Sequence, residues 1–293
     1  MMPFPEQLMT LPPKRNLGLA HFSALMTPPD QFVAMAADAG FSHVGLRLHP
    51  AFPGGHFYAL PPGSAASRDL VKRLDSEGLQ VYDIETVVID PGFIPQSLLP
   101  ILDAARALGA RKLSVCADDP DRSRLVSNFA ELCELAAQFG MGVDLENMGW
   151  RTVSTFADCV SIVEESAQAN GGALVDALHF CRNGGIPSDL LKVHPALISS
   201  FQLCDAGEDV PRSPEEMMRE ARSERYPPGE GTLPVAEIVR ALPPDVMRSV
   251  EVPIKGSSDP RDHIKRLFDS AFAVLNAGGG GRLAPSGRSH RVD

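Results

Sequence analysis

A single (β/α)8 barrel is the fold the sequence predicts, and three observations predict it. Strand-like apolar runs alternate with helix-like segments about eight times along the 293 residues. The first strand candidate runs into His21-Phe22-Ser23-Ala24 rather than a glycine-rich phosphate loop. That argues against the rival, a doubly wound open sheet. No G-x-G-x-x-G or G-x-x-x-x-G-K stands at any predicted strand-to-helix turn. The length suits one large α/β domain or two small ones, with 44% hydrophobic residues available for a core.

Strand 1 is expected over 16–22 (N-L-G-L-A-H-F). Thr27-Pro28-Pro29-Asp30 then reads as a helix start, and 30–39 carries apolar residues at helical spacing. Strands 2, 3 and 4 are expected over 42–48, 79–86 and 111–116, and strands 5 to 8 over 142–146, 172–176, 198–204 and 247–252. Between them, 94–108, 122–139, 153–168, 186–193, 233–242 and 259–276 have helical patterns. Helices stop before glycine at Ala39-Gly40, Glu77-Gly78, Leu108-Gly109 and Phe139-Gly140, the expected left-handed stop. The barrel therefore spans 16–276, with an N-terminal extension over 1–15 and a disordered Gly-rich tail over 277–293. Two long strand-to-helix segments, 49–65 and 205–232, fall on the C-terminal rim, where barrels build their sites.

The net charge of −10 comes with no basic stripe interleaved with aromatics, which argues against nucleic-acid binding. No apolar run approaches the roughly 20 residues that span a bilayer, and M-M-P-F-P-E-Q does not have the form of a signal peptide. Cys116, Cys133, Cys159, Cys181 and Cys204 are odd in number and scattered. They predict reduced thiols, mostly buried, in a cytoplasmic protein.

Chemistry concentrates at four strand ends. Glu146, Asp176, Gln202 and Glu251 each follow a short apolar run, in V-D-L-E-N, L-V-D-A-L-H, F-Q-L-C-D-A and S-V-E-V-P. In a parallel barrel all four reach the same open end. Each alone admits a structural role, the acids in ion pairs and Gln202 as a satisfied core amide. Together they predict a site for one divalent ion: oxygen donors suit Mg2+, Mn2+ or Co2+, and Zn2+ is admissible. Three carboxylates in one place need a cation. His179, three residues past Asp176, points into the same mouth as a proton carrier or a substrate hydroxyl ligand. Arg47, His49, Arg182 and Arg225 lie at or just beyond strand ends. They can grip a substrate carboxylate or phosphate, or pair with Asp83, Glu85 or Asp205. Glu85 either faces the cavity or pairs with Arg47. There is no G-x-S-x-G, H-E-x-x-H or H-x-x-E-H.

On L-E-N, V-D-A-L-H-F-C-R-N-G-G, F-Q-L-C-D-A and R-Y-P-P-G-E-G-T-L, the chain resembles the xylose isomerase-like TIM barrels, the sugar phosphate isomerase/epimerase family, over roughly 16–275. The resemblance implies that Glu146, Asp176, Gln202 and Glu251 bind metal, with Glu146 and Glu251 also moving protons on opposite faces of a small sugar or polyol ketone. It implies a homodimer or homotetramer as well. Many ketose epimerases of the family carry histidine where this chain has Gln202. The Q-L-C-D-A and R-Y-P-P-G-E-G contexts look more like the 3-dehydroshikimate dehydratase and inosose dehydratase branch. There, His179 would be an acid/base, and Arg225 or Arg47 would hold a carboxylate on a cyclic ketone. The same barrel also serves endonucleases for abasic DNA, but their added histidine ligands are missing and the chain is acidic. A barrel that only binds a ligand is the remaining alternative.

Overall fold

The computed structural model describes residues 17–279. The extension expected over 1–15 and the tail beyond Gly279 lie outside these residues. Eight parallel strands close into a barrel in chain order. They are β1 (Leu17–Leu19), β2 (His43–Arg47), β3 (Gln80–Ile89), β4 (Lys112–Ala117), β5 (Gly142–Glu146), β6 (Gly171–Asp176), β7 (Ile198–Leu203) and β8 (Met247–Val250). β1 pairs with β2 on one side and β8 on the other, so no edge is left open.

Helices fill the connections: α1 (Pro29–Ala39), α2 (Ala65–Glu77), α3 (Leu99–Ala107), α4 (Arg122–Ala137), α5 (Phe156–Ser166), α6 (Ala177–Arg182), α7 (Pro187–Leu190), α8 (Pro214–Arg219), α9 (Val235–Ala241) and α10 (Pro260–Gly279). α1 and α2 end as expected on left-handed glycines, Gly40 at φ 109° and Gly78 at φ 62°, which a side chain would strain. α5 starts later than 153 because Thr155 and Asp158 form a reciprocal capping box. α10 runs through Gly279, past the boundary drawn at 276. Strand 1 is shorter than 16–22: the chain turns at His21–Ala24 into a 3-10 helix, with the His21 N–H donated to Glu85 Oε1. α6 and α8 are each six residues long, too short to leave a readable period.

Strand residues divide by pleat. Val44, Leu46, Val143, Leu145, Phe201 and Leu203 belong to the apolar core shared with the helices. The alternate set is polar or small. Ser114 Oγ donates to Asp83 at 2.7 Å, and Asp144 accepts from Lys112 Nζ and Ser200 Oγ, both at 2.7 Å. At Gly45 a Cβ would stand 2.5 Å from Asp83 Oδ1 and 2.7 Å from Glu85 Oε1, so both acids point into the barrel. The polar interior leads upward to the rim. Glu146 follows Asp144 by two residues on β5, and Gln202 follows Ser200 by two on β7.

The register sharpens the expectation that the four strand-end residues reach the same open end. Glu146 pairs with Leu174, not Asp176, and Gln202 pairs with Ser249, two residues before Glu251. Tilted barrel strands need such an advance, about one residue per strand on average, to keep side chains at one height. All five cysteines are unpaired, four of them buried. Among the described residues, no helix is long and apolar enough to cross a membrane.

Candidate active site

The C-terminal mouth of the barrel opens on a cavity of about 300 Å3. Glu85, Glu146, His179, Gln202, Arg225 and Glu251 form its polar floor. Asp176 stands behind them, fully buried, and is not a wall residue. As the N-cap of α6, its Oδ1 accepts the His179 backbone N–H at 2.9 Å. Its Oδ2 accepts from Arg225 Nη1 at 2.6 Å.

Arg225 organises the floor. Its Nη2 lies 3.2 Å from Glu251 Oε2 and 3.4 Å from His179 Nε2, and its Nε donates to the Ala221 carbonyl. An arginine only donates, so the contact with His179 makes Nε2 the acceptor. Arg225 is thus a counter-ion to two of the expected ligands rather than the free substrate grip anticipated for it. Sequence distance hides this, since 49 residues separate Arg225 from Asp176. Two motifs set its position. Asp205 and Tyr226 exchange backbone hydrogen bonds at 2.8 Å, and the Asp205 carboxylate accepts from Gly229 N and Leu233 N. Asp205 therefore staples the R-Y-P-P-G-E-G segment to β7 and, among the described residues, pairs with no arginine. The five-residue π-helical stretch Glu220–Glu224 ends directly at Arg225.

The carboxylates differ in state. Burial, then the charges of Asp176 and Glu251, hold Glu146 well above the usual carboxylate range. Burial pushes Glu251 up to about 8, although Arg225 pulls the other way. Burial would raise Asp176 too, but Arg225 and His179 outweigh it and hold it low. Burial lowers His179 to about 4, against the pull of Asp176, so its imidazole is neutral at pH 7.

These residues fit a divalent cation. Glu146 Oε1 and Gln202 Oε1 are buried with no hydrogen-bond partner, two orphaned acceptors on one floor. Ligand atoms of Glu146, Asp176 and His179 lie within 4.8 Å of one another, which adds His179 to the expected donor set. Gln202 Nε2 donates to Glu251 Oε1 at 3.4 Å, so these two sit together on the other side. With all three ionised, the buried carboxylates against one guanidinium would carry two negative charges, the charge a divalent ion neutralises; without an ion, burial keeps Glu146 and Glu251 toward their protonated forms.

Two expected substrate residues lie elsewhere. His49 does not line the cavity; the chain has left the barrel after Arg47, and His56 reaches the cavity instead. Arg182 holds Glu220 at 2.6 Å and the carbonyls of Gly207 and Asp209, bracing the segment that carries Arg225. Glu85 does both things open to it, lining the cavity and pairing with Arg47 at 3.1 Å. Sequence reasoning missed the aromatic wall. Trp150, the only tryptophan, packs edge-on against His179 at 5.1 Å, and Phe22 and Phe52 line the opposite loops. A lone Trp four residues after the strand-end Glu146 was the available signal.

Solved structures share this fold. A xylose isomerase-like TIM barrel/4-hydroxyphenylpyruvate dioxygenase fusion protein superposes at TM-score 0.74 with 21% identity, over 89% of this chain and 43% of that one. The present chain thus spans less than half of that fusion protein. The IolI protein, solved with a bound zinc atom, gives TM-score 0.74 at 16% identity, covering 90% and 99% of the two chains. A probable 3-DHS dehydratase of petrobactin synthesis from Bacillus anthracis gives 0.69 at 17%, covering 87% and 98%. D-psicose and L-ribulose 3-epimerases share the barrel at comparably low identity. No curated protein matches the sequence. The xylose isomerase-like TIM barrel family model matches residues 33–268, and the chain belongs to that family.

Proposed function

We propose that the protein is a divalent-metal-dependent isomerase or epimerase of a small sugar or polyol ketone, acting by removal of the proton next to the carbonyl. The observation that carries this reading is the pair Glu146 and Glu251. Both are buried, both face one cavity from strands three apart, and both have raised proton affinity. A carboxyl group with raised proton affinity, such as Glu251 at about 8, can take a proton from carbon and return it. Glu251, spaced by Arg225 from Asp176, takes the proton; Glu146 delivers one from its own side of the cavity. Return to the same carbon gives an epimer, and return to the neighbouring carbon gives an isomer. Neutral His179, with Nε2 3.9 Å from Glu146 Oε1, holds a substrate hydroxyl or relays the proton. Trp150 and Phe22 exclude water from the reacting carbon.

Glu146, Asp176, Gln202 and Glu251, with His179 beside them, would hold the ion, and the oxygen-rich set favours Mn2+, Mg2+ or Co2+ over Zn2+. When bound, it supplies Lewis-acid polarisation of the carbonyl. A cytoplasmic homodimer or homotetramer with a small-molecule substrate, and neither nucleic acid nor membrane as partner, completes the proposal.

Gln202 favours a second reading, dehydration of a cyclic polyhydroxy ketone, because it stands where the resemblance places histidine in ketose epimerases. The proton step is the same, and a β-hydroxyl then leaves as water. Incubation of Mn2+-reconstituted protein with ketoses, inososes and 3-dehydroshikimate, followed by NMR and ultraviolet absorbance, separates the two. An epimer or isomer supports the first reading, and an absorbing enone or aromatic product supports the second. Glu146→Gln and Glu251→Gln should each lower either activity by about 10²-fold or more. Full activity in both variants would remove the proposed site.

A further inference from the structure

Four arginines line the cavity wall, and the acids do not take up all of their donors. Arg47, Arg151, Arg222 and Arg225 all line it, although acidic residues outnumber Lys and Arg 37 to 27 in the chain. Arg225 is committed to Asp176 and Glu251, and Arg151 gives Nη1 to Asp118 at 3.1 Å while its buried Nε–H, among the described residues, meets no acceptor. Arg47 and Arg222 also have donors to spare, and these two each stand against an aromatic ring of the cavity. Arg47 gives Nη2 to Glu85, but it is 6% exposed and its buried Nε–H meets no acceptor. Arg222 has no carboxylate partner among the described residues, and its guanidinium stands 5.1 Å from the centre of the Phe52 ring. Arg47 stands over Phe22 in the same way, also at 5.1 Å. Both rings line the cavity.

A buried N–H without an acceptor is unfavourable until a ligand supplies one. A guanidinium laid on an aromatic face has its orientation fixed and its in-plane donors free. It is weakly hydrated, so a charged planar or tetrahedral oxyacid replaces its water readily, whereas a neutral hydroxyl gains little from it. We propose that Arg47 and Arg222 form a subsite for an acid group on the substrate, a carboxylate or a phosphate, so that the substrate is an anionic polyhydroxy ketone rather than a neutral ketose. The subsite rests on the reading of this cavity as the substrate site, but on no proton step and no metal.

Calorimetric binding of two matched pairs tests it: fructose 6-phosphate against fructose, and quinate against myo-inositol. The Glu146→Gln protein is used, with and without Mn2+, so that turnover does not intervene. In at least one pair the acid member should bind about tenfold or more tightly than its neutral partner. The responsive pair identifies phosphate or carboxylate as the group read. Raising salt from about 0.05 M to about 0.5 M should shrink the preference. Arg222→Gln should abolish it while leaving the neutral affinity unchanged. Arg222 is exposed, so an unchanged melting temperature confirms that the variant folds. Arg47→Gln, read below its own melting temperature, should act in the same direction.

Affinities within about twofold in both pairs would overturn the proposal, as would no binding of either acid at about 10 mM. Equal weakening of acid and neutral members by Arg222→Gln would overturn it too. So would a preference that survives Arg222→Gln and is lost with Arg151→Gln. Absence of turnover in the unmodified protein would sink the proposed reaction and leave these affinities standing.

Discussion

Replacing Arg225 with methionine removes the single guanidinium shared by Asp176 and Glu251, at 2.6 and 3.2 Å. Both partners are buried, so the variant leaves three carboxylates in one desolvated floor without the guanidinium that pairs with two of them. Breaking a buried pair from one side costs about 3–5 kcal/mol. At roughly 2–4 °C per kcal/mol for a domain of this size, the melting temperature in EDTA should fall by about 6–20 °C. The loss should be largest near pH 8 and smaller near pH 6, because protonation of Glu251 and Glu146 relieves the repulsion. Mn2+ should then restore more stability to the variant than to the wild type, since it becomes the only cation on the floor. At a hundredfold excess over its dissociation constant the gain is about 2.7 kcal/mol. Differential scanning calorimetry with EDTA or Mn2+ at both pH values reads all of this. A variant melting within about 2 °C of wild type in EDTA at pH 8 would refute the counter-ion role.

Three further outcomes follow from the same geometry. Metal-free wild type should lose stability as pH rises from about 6.5 to about 8. Glu251 has a folded pKa of about 8, above its unfolded value, so its contribution is full at low pH and lost on passing 8; Glu146 acts with the same sign. His179, lowered to about 4, acts oppositely only below about 6.5, which leaves this window clear. The slope should be roughly 1 kcal/mol per pH unit for each titrating carboxyl group and shallower in Glu251→Gln; a flat wild-type profile would contradict it. Arg182→Ala should lower stability by about 3–5 kcal/mol by stranding Glu220, and should lower kcat by loosening the segment that carries Arg225. A raised KM with an unchanged melting temperature would instead return Arg182 to the substrate. Gly45→Ala, whose methyl would meet Asp83 and Glu85, should cost about 1–3 kcal/mol in urea denaturation, and wild-type stability in that variant would mean those acids point elsewhere.

The barrel was legible because strand runs and glycine stops are local signals. β5 falls on the residues expected for it, and Gly40 and Gly78 cap α1 and α2 as the pattern required. Strand 1 came out short because His21 answers to Glu85, a contact across 64 residues. The four strand-end residues were legible for the same reason as the strands: alternation along a pleat assigns them to the interior. Orientation beyond the strand end was not legible. Arg47, the last residue of β2, reaches the cavity, and His49, two residues later, does not. Arg182 follows β6 closely, yet the buried Glu220 draws it away from the mouth. The role of Arg225 depends on the bridge between Asp205 and Tyr226, which nothing periodic announces.

The most direct test of the proposed chemistry is solvent exchange at carbon. Mn2+-reconstituted protein in D2O, supplied with its turned-over ketone, should place deuterium at the carbon next to the carbonyl, as read by proton NMR. Glu251→Gln should slow that exchange by about 10²-fold or more while still binding the substrate. Turnover with no deuterium in recovered substrate or product, or exchange at the wild-type rate in Glu251→Gln, would contradict Glu251 as the proton acceptor.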